Sequence, residues 1–158
     1  MTLRPVLLTL PLCFAVACSG GDDIGTNPNA LCGDESRATD YVSGLEVDTT
    51  DAAFTVRLTD VMVADTPQPP DRGNNLWTFE VLDSAGSPIT DATVEMKAWM
   101  PDHGHGTNPL WNDARPMNGG GYEVGAFDLF MGGFWQFTFR VDQAGNTDEG
   151  VVGFCIEG

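Results

Sequence analysis

The stretch Trp99-Met100-Pro101-Asp102-His103-Gly104-His105-Gly106 holds both histidines of the chain. In an extended segment side chains alternate in direction, so His103 and His105 point the same way with flexible Gly104 between them. Two imidazoles so placed make half of a metal claw, and the methionines around them bias its chemistry. Met100 precedes the pair, Met117 lies in the Gly-, Asn- and Pro-rich stretch that follows, and Met131 sits in the next turn. Imidazole and thioether are borderline-to-soft donors, a set suited to copper, Cu(I) above all, over magnesium or calcium. Asp102 and Asp113 are oxygen donors that would instead suit Zn(II) or Cu(II). Met100 shares a strand register with Val94, Met96 and Ala98, which assigns it to a core face. The ligand candidates are therefore His103 and His105, with Met117 or Met131 to complete the site. The competing reading is an ordinary exposed loop, or one whose imidazoles bond backbone carbonyls to hold its shape.

Catalytic patterns are not found. The chain has no nucleophile elbow for a hydrolytic triad, no His-Glu-x-x-His helix for a catalytic zinc and no glycine-rich phosphate loop between a strand and a helix. Gly119-Gly120-Gly121 reads as a loop hinge. The expectation is a binding protein and not an enzyme.

The elements that must position the histidines are strands. Short runs rich in β-branched and aromatic residues recur between turn signals, and no helical periodicity competes with them. Seven strands are expected: a weak one over 41–47, then 53–64, 76–82, 92–100, 121–129, 134–141 and 151–156. In the second, Phe54, Val56 and Leu58 alternate with Thr55, Arg57 and Thr59, but Val61-Met62-Val63 loses the alternation. Prolines 67, 69 and 70 end that run, and Asp83-Ser84-Ala85-Gly86-Ser87-Pro88 makes a hairpin-type turn. The histidine stretch terminates the fourth strand and opens a long loop. The pattern predicts an all-β, immunoglobulin-like antiparallel sandwich, without the Cys, Trp, Cys spacing of antibody domains.

The N-terminus places this domain outside the cytoplasm. Arg4 and an apolar run from Val6 to Ala17 read as a signal peptide over 1–17, too short for a membrane span of about 20 apolar residues. Ala15-Val16-Ala17-Cys18 resembles a lipobox, which makes Cys18 the lipidation candidate; the alternative is a secreted chain with a stray cysteine. Ser19 after that cysteine favours the periplasmic face of the outer membrane. Residues 18–31 are small, polar and acidic and read as a tether, leaving 32–158 as one domain. Two cysteines remain, Cys32 and Cys155, and export makes them a disulfide staple, against two free thiols or an intermolecular bridge. A net charge of −16 repels phosphate backbones, so nucleic acid is not an expected partner.

The order of these features resembles the YtkA-like domain family. The likeness runs through Asp83-Ser84-Ala85-Gly86-Ser87-Pro88, Asp91-Ala92-Thr93-Val94-Glu95-Met96, Met100 to Pro109, Gly121-Tyr122-Glu123-Val124 and Met131-Gly132-Gly133-Phe134-Trp135-Gln136-Phe137. The resemblance implies an exported β-sandwich, often tethered, related to FixH-type proteins found with oxidase assembly and cation transport. It implies metal handling, copper foremost; zinc stays open from the oxygen donors Asp102 and Asp113, and an envelope metalloprotein or transporter is the expected partner. Its Met-Pro-x-His-Gly-His signature falls on Met100, Pro101, His103 and His105, and its Met-x-Gly-x-Trp on Met131, Gly133 and Trp135. Asp102 stands where the family often has a second methionine, which implies a harder site. The reading from another class is an immunoglobulin-like structural or interaction module of the envelope.

Overall fold

Alternating burial, one side chain in and the next out, runs through the long segments of the chain and sets their architecture. The computed structural model describes Cys32, Gly33 and residues 35–158. The expected signal peptide, the lipidation candidate Cys18 and the tether to residue 31 lie outside the described residues. Within them are eleven strands and no helix: β1 (Leu45–Asp48), β2 (Phe54–Val63), β3 (Thr66–Pro67), β4 (Gly73–Asp83), β5 (Pro88–Ile89), β6 (Thr93–Met100), β7 (His105–Asp113), β8 (Arg115–Pro116), β9 (Tyr122–Leu129), β10 (Gly133–Gln143) and β11 (Asn146–Ile156). One sheet runs β1-β2-β4-β9-β8, with β3 on β2 and β5 on β4; the other runs β11-β10-β6-β7. Every pairing is antiparallel. This is the antiparallel β-sandwich that the alternation predicts.

Large side chains from both inner faces fill the core. Trp77 and Phe79 of β4 are fully buried, as are Met96, Ala98 and Met100 of β6 and Phe137 and Phe139 of β10. The Trp77 ring lies 4.5 Å from Phe137 and 5.7 Å from Phe154, and Phe79 lies 5.3 Å from Phe139. Each such phenylalanine or methionine contributes roughly 1.5–3 kcal/mol by leaving water, and the Ala98 methyl about 0.8 kcal/mol or less. The lost alternation at the end of β2 also has a cause. A register shift between Leu58 and Asp60 inserts one extra residue, after which Val61 and Val63 again face the core.

Three boundaries differ from the sequence pattern. The first strand begins at Leu45 instead of Tyr41, because the Leu45 N–H bonds the Val42 carbonyl and Gly44 takes a positive φ, forming a turn. The last strand begins at Asn146 instead of Val151, since its polar first half pairs with β10 across a two-residue turn. The largest correction concerns the stretch after His105. It is not a long loop but the edge strand β7, paired to β6 from Met100↔His105 to Glu95↔Asp113. Its Asn, Pro and Gly fit an edge with a register shift between Lys97 and Trp99.

The expected staple is present. Cys32 and Cys155 are bonded with Cα atoms 5.6 Å apart, across 123 residues of sequence. The Thr39 N–H donates to the Gly153 carbonyl at 2.7 Å, so the segment after Cys32 lies as a strap along β11.

Candidate metal centre

The turn between β6 and β7 is built by a proline at one end and a glycine at the other. Pro101 fixes its own φ as the chain leaves β6, and Gly104, at φ +70°, takes the left-handed conformation that L side chains resist. The N–H groups of His103 and Gly104 both donate to the Met100 carbonyl, at 3.2 and 2.9 Å. Gly106 is needed for a different reason: a Cβ there would meet the Ala98 carbonyl oxygen at 2.2 Å. The result is a tight tip with His103 exposed and His105, the first residue of β7, half-buried opposite Met100.

The two imidazoles are neighbours, with ring centroids 5.6 Å apart and planes at 50°. Two imidazoles on one ion have centroids about 5–6 Å apart, given nitrogen–metal bonds of about 2.0–2.1 Å. Phe130, from the β9–β10 connection, stacks on His105 at 5.4 Å and meets Trp135 edge-on at 5.8 Å. The Trp135 indole N–H donates to the Met131 carbonyl at 3.0 Å, which ties the turn carrying Met131 to the same end of the sandwich. His105 Nδ1 is buried and has no hydrogen-bond partner. Buried polar atoms are ordinarily paired, so this nitrogen is unused by the fold. That orphan atom and a second imidazole are nitrogen donors of the kind that suit copper or zinc.

The remaining sequence candidates divide. Met131 is half-buried and packs against the core beside the tip. Met100 is fully buried as its register requires, with its methyl reaching to 3.1 Å from the place a Gly133 Cβ would take. Met117 is not brought to the histidines. It lies in the turn between β8 and β9, where its N–H donates to Gly121, and the next residue, Tyr122, bonds Ala92 at the start of β6. The length of β6, about 23 Å for the seven steps between its eight residues at about 3.3 Å each, separates it from the tip. Asp113 is also at the far end, opposite Glu95. Among the described residues, no group of three or more His, Cys, Asp and Glu is placed to hold an ion.

Asp102 is already engaged. Both its carboxylate oxygens accept from Arg37, at 2.9 and 2.6 Å, and Arg37 also bonds Glu35 and lies 4.2 Å over the Phe134 ring. The hydrogen bonds from Arg37 hold the carboxyls of Asp102 and Glu35 below their ordinary values, and the two carboxylates raise the guanidinium in turn. Sequence reasoning found neither Arg37 nor Phe130. Phe130 carried one signal, an apolar side chain out of register with the buried Phe127 and Leu129. Arg37 carried almost none, since no pattern links positions 65 residues apart.

A family model, YtkA-like, matches residues 56–140, which takes in the tip and the turn from Phe130 to Trp135. No curated protein and no solved structure matches the chain. With more than half of its length in that match, the chain belongs to the YtkA-like family.

Proposed function

We propose that this protein is a lipid-anchored component of the cell envelope, on the periplasmic face of the outer membrane, which binds copper at the β6–β7 tip. It acts as a chaperone or buffer and performs no catalytic step. The observation that carries this reading is the imidazole pair, with His105 Nδ1 buried and unpartnered and Phe130 stacked on the same ring. His103 and His105 supply nitrogen, and Met131, from the turn that also carries Phe130, supplies the thioether. Imidazole must be neutral to ligate, so binding weakens in acid. A protein donor from an envelope metalloprotein or transporter would complete the coordination during transfer.

The test is titration of the full chain with Cu(I), Cu(II) and Zn(II), beside the His103→Ala/His105→Ala variant. Submicromolar Cu(I) binding lost in the variant is the expected result, with a smaller loss for Met131→Ala. Equal, weak binding by both proteins would remove the metal role. The second reading, an interaction module, draws on Phe130, which is 44 % exposed beside the tip. In that case Phe130→Ala would abolish partner capture while the histidine variant would not. Anchoring is checked separately: Cys18→Ser moves the protein from the membrane fraction to the soluble one.

A further inference from the structure

We infer that Arg37 sets the ion class of the tip by withdrawing Asp102 from it, an inference that rests on the tip being the metal-binding element. Asp102 directly precedes His103, so its carboxylate is the hard donor closest in sequence to the imidazole pair. Two imidazoles with a carboxylate suit Zn(II) or Cu(II), whereas two imidazoles with a thioether favour Cu(I). Which set is offered turns on whether the carboxylate is free. It is not.

Arg37 Nη1 donates to Asp102 Oδ1 at 2.9 Å and Nη2 to Oδ2 at 2.6 Å, so one guanidinium fork occupies both oxygens. A guanidinium keeps its proton throughout the accessible pH range, and the fork keeps its charge with it. Arg37 is itself held from several sides. Its Nε and Nη2 donate to Glu35 at 2.8 and 2.6 Å, its face lies over Phe134, and its strap is fixed to β11 by the Thr39 N–H bond and the Cys32–Cys155 disulfide. An exposed ion pair adds little to stability, so the consequence of this one is for the ion and not for the fold. Arg37 lies outside the span matched by the family model, and the device belongs to the strap of this chain. It also answers the departure at Asp102: the residue that would harden the site is neutralised in place.

The experiment is titration of the full-length, oxidised chain with Zn(II) alone, in competition with a chromophoric chelator at fixed pH and salt. Arg37→Ala frees the carboxylate and tightens Zn(II) binding by about two- to fivefold, the most that an exposed ion pair can withhold. Arg37→Ala/Asp102→Asn returns the affinity to that of the parent protein. Arg37→Lys keeps the charge but loses the fork, and falls between. Thermal unfolding of the metal-free variants moves little. Unchanged Zn(II) affinity in Arg37→Ala, or a gain that persists in the double variant, overturns the inference; if Arg37→Ala does not fold, Arg37→Lys decides by the same criteria. Cu(I) is titrated separately: its failure to bind the parent protein sinks the copper reading and leaves the Zn(II) criterion standing.

Discussion

Two hairpins of the same sheet are built to different standards. β10 and β11 pair without a break from Gly133↔Ile156 to Gln143↔Asn146, and they turn on Ala144 and Gly145, both at positive φ, as a two-residue hairpin turn requires. β6 and β7 pair with a register shift, turn on the four residues 101–104, and leave β7 with Thr107 as its one buried residue. The first hairpin delivers Phe137, Phe139, Val152 and Phe154 to the core. The second delivers two imidazoles to an edge. Regular pairing with a buried face fixes register and stability; an irregular edge leaves side chains free to be chosen for chemistry.

The largest effects should fall on the regular hairpin. Phe137→Ala removes a fully buried ring packed against Trp77 and should cost about 3–5 kcal/mol in urea denaturation. A loss under about 1 kcal/mol would mean that the core does not depend on this strand. Next is Cys32→Ser/Cys155→Ser, which releases the strap from β11. In the chain-entropy model a loop this long contributes up to about 5 kcal/mol, and about 2–5 kcal/mol is the expected loss. Reduction of the parent protein should reproduce it; an unchanged midpoint under reductant would show that the strap is held by other means.

Asp148, at the start of β11, comes third. Burial alone would raise its carboxyl, but bonds from Thr49 and from the N–H groups of Glu149, Asp51 and Ala53 outweigh it and hold the carboxyl low. A group depressed in the folded state contributes stability in full above the ordinary carboxylate range, near pH 4, and loses it as pH falls through the lower folded value. Asp148→Ala should therefore cost about 1–3 kcal/mol at neutral pH, by stranding the N–H groups of Asp51 and Ala53. Below about pH 4 the difference from the parent should shrink. A difference that stays constant from pH 7 to pH 3 would show that the carboxylate charge is not what matters.

The same contrast decides what the sequence could reveal. β10 was legible because Trp135, Phe137, Phe139 and Val141 keep one period over a buried face, and Cys155 was legible because reading residues 1–18 as a signal peptide and lipidation site left it one partner in the cysteine count. β7 was not. Its pattern His-Gly-Thr-Asn-Pro-Leu-Trp-Asn-Asp has no apolar alternation, because an edge strand with a register shift buries almost nothing. The histidines were visible by residue type, but the extended segment expected to align them is a turn over 101–104 with Gly104 at φ +70°, and that turn is what brings the rings together. What completes their surroundings was not visible: Phe130 arrives from the connection that crosses from β9 in one sheet to β10 in the other, and Arg37 from a strap, through contacts that no local period encodes. Met117 was misplaced for the same reason, since closeness along the chain was taken for closeness across a strand that turns back.

The smallest effects on stability should fall on the tip, and there the two hairpins separate most clearly. Gly104 holds a left-handed φ with nothing within 4 Å of the place a Cβ would take. Gly104→Ala should thus cost only the backbone term, about 1–2 kcal/mol, with no clash added. His103→Ala should cost less still, because the side chain is exposed and the N–H bond to Met100 is kept. His105→Ala removes the ring stacked on Phe130 but also the buried nitrogen that the fold leaves unpaired, and these two consequences oppose each other. The double histidine variant should unfold within about 1 kcal/mol of the parent while its metal affinity collapses. If it loses as much stability as Phe137→Ala, the imidazoles are structural parts of the sandwich, and the division of labour between the two hairpins fails with them.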